Sequence, residues 1–149
     1  MLSSGSNPTE VVEKVEKMNQ NVVELKRKEK RLLMEIAKSE GDRVRANIQT
    51  TGKAWVYRAD EGLEYINWVI HEIKDIIKDS GVVLFASGEG KKGGQILVAG
   101  EEKSVEVVAR SVKEVLKGIK GGGKGGRWQG KVIEWGKGDL EALRKIVGG

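Results

Sequence analysis

The sequence predicts an α/β fold: a long N-terminal helix, coiled-coil-like, followed by a small α/β globular part with about four strands. Three observations predict it. Apolar residues near the N-terminus recur in steps of four and three, at Val11, Val15, Met18, Val22, Leu25, Leu32 and Ile36. From Lys53 onward, short runs of β-forming residues alternate with stretches of helical period. Glycines punctuate almost every boundary between them. The organisation expected is a flexible lead over 1–9, a helical dimerisation part over 10–50 and a glycine-rich α/β part over 51–149.

Pro8 and the acids after it suit a helix start. The four–three spacing that follows is that of a coiled-coil seam, with Glu29 its one gap. Such a helix cannot bury its stripe alone, so a homodimer through the N-terminal helix is expected, with a break near Ser39-Glu40-Gly41-Asp42. KAWVYRA reads as a strand with Trp55 and Tyr57 on one side. Asp60 is expected to cap a helix that turns Leu63, Ile66, Val69, Ile70, Ile73, Ile76 and Ile77 inward, with Gly81 ending it. VVLFAS and QILVAG read as buried strands joined by GEGKKGG. Ser104 is expected to start a helix carrying Val105, Val108, Val112, Val115, Leu116 and Ile119 on its inner face. A glycine-rich loop follows, then a short strand within RWQGKVIEW, and a last helix capped by Asp139.

With 149 residues, 38% hydrophobic and 33% charged, the chain can fold around a core and is not of disordered composition. No apolar run approaches the ~20 residues of a membrane span, and the first residues lack the pattern of a secretory signal. The absence of cysteine excludes disulfides and thiolate chemistry, so a cytoplasmic location is the simplest expectation. The net charge of +5 is unevenly spread. Arg110 to Lys137 holds eight cations and two acids, so that segment is +6 and the remainder −1. A local basic field suits a polyanionic partner.

Enzyme motifs nearly match and then fail. Gly88 to Gly93 satisfies G-x-G-x-x-G, but a strand follows where a dinucleotide site needs a helix. Gly118 to Lys124 satisfies G-x-x-x-x-G-K, but Gly125 stands where a phosphate loop needs Ser or Thr. His71 is the one histidine, which with no cysteine leaves no Cys/His zinc set. The chain by itself therefore reads as non-catalytic.

The stretch KGIKGGGKGGRWQGK, Lys117 to Lys131, holds seven glycines and five cations. Bare backbone lets a partner approach closely and exposes N–H donors that bind anions. The candidate nucleic-acid contacts are Lys117, Lys120, Gly121, Gly122, Gly123, Lys124, Gly125, Gly126, Arg127, Trp128, Gln129 and Lys131. Arg127 suits a phosphate bidentately. Trp128 either offers a stacking face for a base or plugs the core. Arg110 and Lys113 lead into the stretch as a helical stripe and, with Lys91 and Lys92, are further candidates for phosphate contact. Two other readings compete. One is a purely structural coiled-coil dimer with an incidental basic surface; the other is an enzyme acting on a small anion or nucleotide.

The order from Lys53 to Gly149 resembles the C-terminal, DHH-associated type of domain of archaeal-like alanyl-tRNA synthetases. A strand, a helix, the hairpin VVLFASGEGKKGGQILVAG and a helix ending in GGGKGGR carry the resemblance. That family often has Pro after the basic residue and then Ala-Gln-Gly; here Trp128-Gln129-Gly130 follows Arg127 directly, with Trp135-Gly136 the alternative counterpart. The resemblance implies a dimerising module that binds the outer corner of tRNA, specifically tRNA(Ala), and supports aminoacylation and editing performed by other domains. It implies no cofactor in this chain, ATP, Mg and Zn being used elsewhere in the parent synthetase, and no membrane partner.

Overall fold

The computed structural model describes residues 8–148, with side chains from Val12 onward. Two compact units make up the chain, meeting at Glu35 and Ile36. Helix α1, Pro8–Thr51, enters both. In the first unit its apolar stripe is open: Val15, Met18, Val22, Leu25 and Leu32 are all exposed. The side chain of Val11 lies outside the described residues, as do residues 1–7 of the expected lead.

The second unit contains an α/β sheet of five strands in the order β1-β2-β3-β5-β4. Strand β1, Lys53–Arg58, runs parallel to β2, Val82–Ser87, with helix α2, Leu63–Ile77, crossing between them. Strand β3, Gly94–Gly100, returns antiparallel to β2. Helix α3, Glu102–Val115, then leads to β4, Lys120–Lys124, and β5, Arg127–Val132. β5 lies antiparallel between β3 and β4. A final helix, α4, spans Asp139–Ile146.

Alternate side chains of each strand face opposite ways, which separates two cores. On one face Val56, Val83, Phe85 and Leu97 meet Ile66, Val69 and Ile73 of α2 and Val44 and Ile48 of α1. On the other, Leu84, Ile96, Val98 and Trp128 meet Val105, Val108 and Val112 of α3 and Leu143 of α4. β2, buried at all six positions, is the centre of both.

Several local expectations change. The helix does not break at Ser39–Asp42. Gly41 is instead a place of close approach, since a Cβ there would lie 2.7 Å from Glu72 Cβ on α2. The packed face through it is Ala37, Gly41, Val44 and Ile48. That face is offset by one residue from the open stripe, which is why Ile36 stays 43% exposed while Ala37 is buried. Arg45 fastens the same contact, donating to Asp75 Oδ1 at 2.8 Å; this holds the Asp75 carboxyl below its ordinary pKa. Gly62, not Asp60, is the N-cap of α2. Glu101, not Ser104, caps α3, its carboxylate accepting from the backbone N–H groups of Lys103 and Ser104. Gly138 takes the cap position of α4, and Asp139 accepts from Gly136 N at 2.8 Å.

Candidate nucleic-acid interface

The run expected to be a loop is a strand beyond the four expected. Residues Lys120-Gly121-Gly122-Gly123-Lys124 form β4, and every one of them is exposed. Gly is depleted in strands, so propensity hides this element. It forms because β5 offers a paired edge, and the glycines let it come close. A Cβ on Gly123 would lie 2.5 Å from Trp128 Cα; on Gly121, 2.5 Å from Trp128 Cζ2; on Gly130, 2.7 Å from Trp128 Cη2. Three glycines thus make room for strand pairing and for one indole.

Gly122 and Gly125 have open space around the added Cβ. Gly125 also has φ +67 in the hairpin turn, a conformation that costs glycine little. Gly126, the other turn residue, accepts through its carbonyl from Gly100 N at 3.0 Å, which ties the hairpin tip to the end of β3. Among the described residues no strand lies on the outer side of β4, so alternate N–H and C=O groups point away from the sheet. These are bare polar donors and acceptors on a strand whose side chains are either absent or cationic.

The expected cations sit on both faces of this ribbon. Trp128 faces α3, and Arg127 faces α2, where its Nη2 donates to Asn67 Oδ1 at 2.8 Å. Alternation and register then put Gly122, Lys120, Lys124, Gln129 and Lys131 on the α2 side with Arg127. On the α3 side, Arg110 and Lys113 line a pocket of about 420 Å³ with Gly123, Gly125 and Trp128. Lys117 leaves the end of α3 near Lys120 and Lys131, where a larger groove of about 580 Å³ opens. Lys91 and Lys92 lie in the 3₁₀ turn between β2 and β3. The register puts that turn at the far end of the sheet from the β4–β5 tip.

Two residues of the ribbon are engaged within the protein itself, and Trp128 takes the second of its two expected roles. Trp128 is only 6% exposed and fills the α3-side core, so its ring offers no free stacking face. Lys113 Nζ lies 5.9 Å from the ring centroid, near the outer reach of a cation–π contact. The indole Nε1 of Trp128 is buried with no hydrogen-bond partner among the described residues. Arg127 is half-buried, and its guanidinium is engaged by Asn67. With the Gln129 amide turned so that its oxygen faces the guanidinium, Gln129 also accepts from Arg127 Nε at 3.0 Å. Arg127 therefore braces the ribbon against α2, which limits the fork available to a phosphate. Neither role is legible from spacing alone, because both depend on which face of β5 is covered.

The near-motifs resolve as architecture. GEGKKGG closes the β2–β3 hairpin, with Gly88 at φ +87 and Gly93 at φ +66. Tyr57 Oη donates to the Gly88 carbonyl at 2.7 Å and Trp135 N to that of Gly90 at 2.8 Å, so this turn is held from two sides. Trp135 Nε1 donates to the Ser87 carbonyl at 3.1 Å. Among the described residues, no group of three His, Cys, Asp or Glu side chains could hold a metal ion. No helix among them is long and apolar enough to cross a membrane.

No family model matches the chain. Individual relatives do. The alanyl-tRNA editing protein Aarsd1 of Danio rerio is 31% identical over 146 residues, 97% of this chain and 34% of its own length. That of Mus musculus is 30% identical over 123 residues, 83% of this chain and 29% of its own. That of Bos taurus is 36% identical over 81 residues, 54% of this chain and 17% of its own. These relatives bear the name of alanyl-tRNA editing proteins rather than of the synthetase that the sequence resembles, so the synthetase as parent does not follow from them. The chain is similar to alanyl-tRNA editing proteins and spans about a third or less of the length of those it matches.

Proposed function

We propose that this chain is a tRNA-binding module for tRNA(Ala) that serves alanyl-tRNA editing, with β4 and its flanking lysines as the gripping surface. One observation carries the reading: an exposed edge strand with three bare glycines between two lysines, flanked by cations on both faces. A sheet edge normally carries bulk or is covered, because open backbone invites pairing. Here the open backbone is kept and surrounded by positive charge, which suits a phosphate chain better than a neutral strand. The similarity to proteins named for alanyl-tRNA editing supports tRNA as the polyanion. An equivalent module in an alanine–tRNA ligase, as the synthetase resemblance implies, would grip the same RNA. The catalytic step is assigned to neither the ribbon nor any other group in this chain.

The open stripe of α1 supports a homodimer through Val15, Met18, Val22, Leu25 and Leu32, all exposed apolar residues at coiled-coil spacing. Leu25→Lys should then shift the sedimenting species from dimer to monomer.

The binding reading is tested by titrating tRNA(Ala) at several salt concentrations. Neutralising about four phosphates gives a log–log slope near −3. Replacing Lys120, Lys124 and Lys131 by Ala should flatten that slope by about one unit per lost contact. An affinity indifferent to salt, or no binding at low salt, would overturn the proposal.

A further inference from the structure

Resting on the reading that the chain binds tRNA, we propose that the groove between the end of α3 and β5 takes one unstacked nucleotide, its base against Ile119 and Ile133 and its phosphate beside Lys117. The motive is a mismatch: Trp128 is the aromatic residue of the ribbon, and it is spent on the core. The exposed apolar surface beside the ribbon lies elsewhere. Ile133 is 78% exposed, the most exposed of the large apolar side chains among the described residues.

A lone exposed Ile means little. This one lines a groove of about 580 Å³, together with half-buried Ile119 and exposed Lys117; Lys120 and Lys131 also border it, though register sends their side chains to the α2 side. That volume lies in the range of small-molecule sites. An apolar wall joined to a cationic rim matches a flat base joined to a phosphate. A purely aliphatic ligand would leave Lys117 without a partner, and a bare anion would leave the wall unused.

The charges also orient the ligand. Lys117 belongs to the segment entering β4, whereas Glu134 and Asp139 belong to the segment leading to α4. A phosphate is drawn to the first and repelled by the second, so the base lies over Ile133. Asp139 already accepts from Gly136 N, which leaves Glu134 to accept from an amino group on a base edge.

The test follows the isoleucine methyl resonances by NMR while AMP or ribose 5-phosphate is added. Upfield ring-current shifts of the Ile119 and Ile133 methyls with AMP alone are expected. Ile133→Asn, at an exposed position, should weaken tRNA(Ala) binding about fivefold with the salt slope unchanged, while Ile133→Leu binds as the parent does. If tRNA binds with its salt slope intact but AMP leaves the methyls unmoved and Ile133→Asn is silent, the nucleotide site is wrong and the tRNA reading stands. If tRNA does not bind at all, the tRNA reading itself fails. A change of sedimentation in Ile133→Asn would reassign the groove to contact between copies and overturn the nucleotide site.

Discussion

Two glycine-rich hairpins punctuate the same sheet, and they use glycine for opposite ends. In the β2–β3 turn, Gly88, Gly93 and Gly94 are set against each other's backbone or against Ser87, Val132 and Ile133, so an added Cβ has nowhere to go there, while Gly90 at φ +56 has open space. That turn follows a strand with no exposed residue and is clasped by Tyr57 and Trp135. In the β4–β5 ribbon more of the glycines are open, and they lie on an exposed strand and its turn. Gly121, Gly123 and Gly130 accommodate Trp128 and the paired strand, while Gly122 and Gly125 face open space. Counting glycines cannot separate a packing device from a contact surface; asking what a methyl group would meet does.

The largest expected effect lies in the clasped turn. Gly88→Ala should cost about 3 kcal/mol or more in chemical denaturation, because it combines φ +87 with a Cβ that overlaps the Gly93 carbonyl. A well-folded variant of parental stability would show that the two hairpins are alike after all.

Within the ribbon the effects should split. Gly123→Ala should lower stability by about 1–3 kcal/mol through overlap with β5. Gly122→Ala should leave stability within about 0.5 kcal/mol yet weaken tRNA binding, since its Cβ enters the space a phosphate chain would occupy. If Gly122→Ala binds tRNA as the parent does, β4 is an edge with no ligand, and the contrast between the hairpins reduces to one of packing.

The smallest effect sits where the two hairpins join. Glu101, directly after Gly100, receives hydrogen bonds from Ser104 N, Ser104 Oγ and Lys103 N, which hold its carboxyl below the ordinary 4.5. A depressed carboxyl contributes stability above its unfolded value and loses it as pH falls through the folded one. The acid limb of a stability profile should therefore be shallower in Glu101→Gln, with the two proteins converging below that range. An identical acid limb would mean that the cap does not stabilise α3.

Much of the layout was legible from pattern. The runs KAWVYRA, VVLFAS and QILVAG became β1, β2 and β3 because they are short and rich in β-branched, aromatic and other apolar residues. The apolar stripe from Val15 to Leu32 was legible because a period of 3.5 needs no tertiary context. β4 was not legible, because a strand made of Lys and Gly carries no propensity signal and exists only through its partner. Gly41 misled for a related reason: in isolation it signals a helix end, but here Glu72 packs over it. At the candidate site the cations could be named in advance, though not their sides, since Arg110 and Lys113 fall beyond the α3 face and Lys120, Lys124 and Lys131 on the α2 face.

The order of elements, the concentration of positive charge after Arg110 and the open apolar stripe of α1 follow from sequence alone, because composition and period are local properties. Which glycines are confined, that Trp128 turns inward, and that Arg127 is braced by Asn67 were decided only when β5 was placed between β3 and β4. Those outcomes depend on the neighbours each backbone and side chain acquires, and neighbours are set by the pairing of strands far apart in the chain.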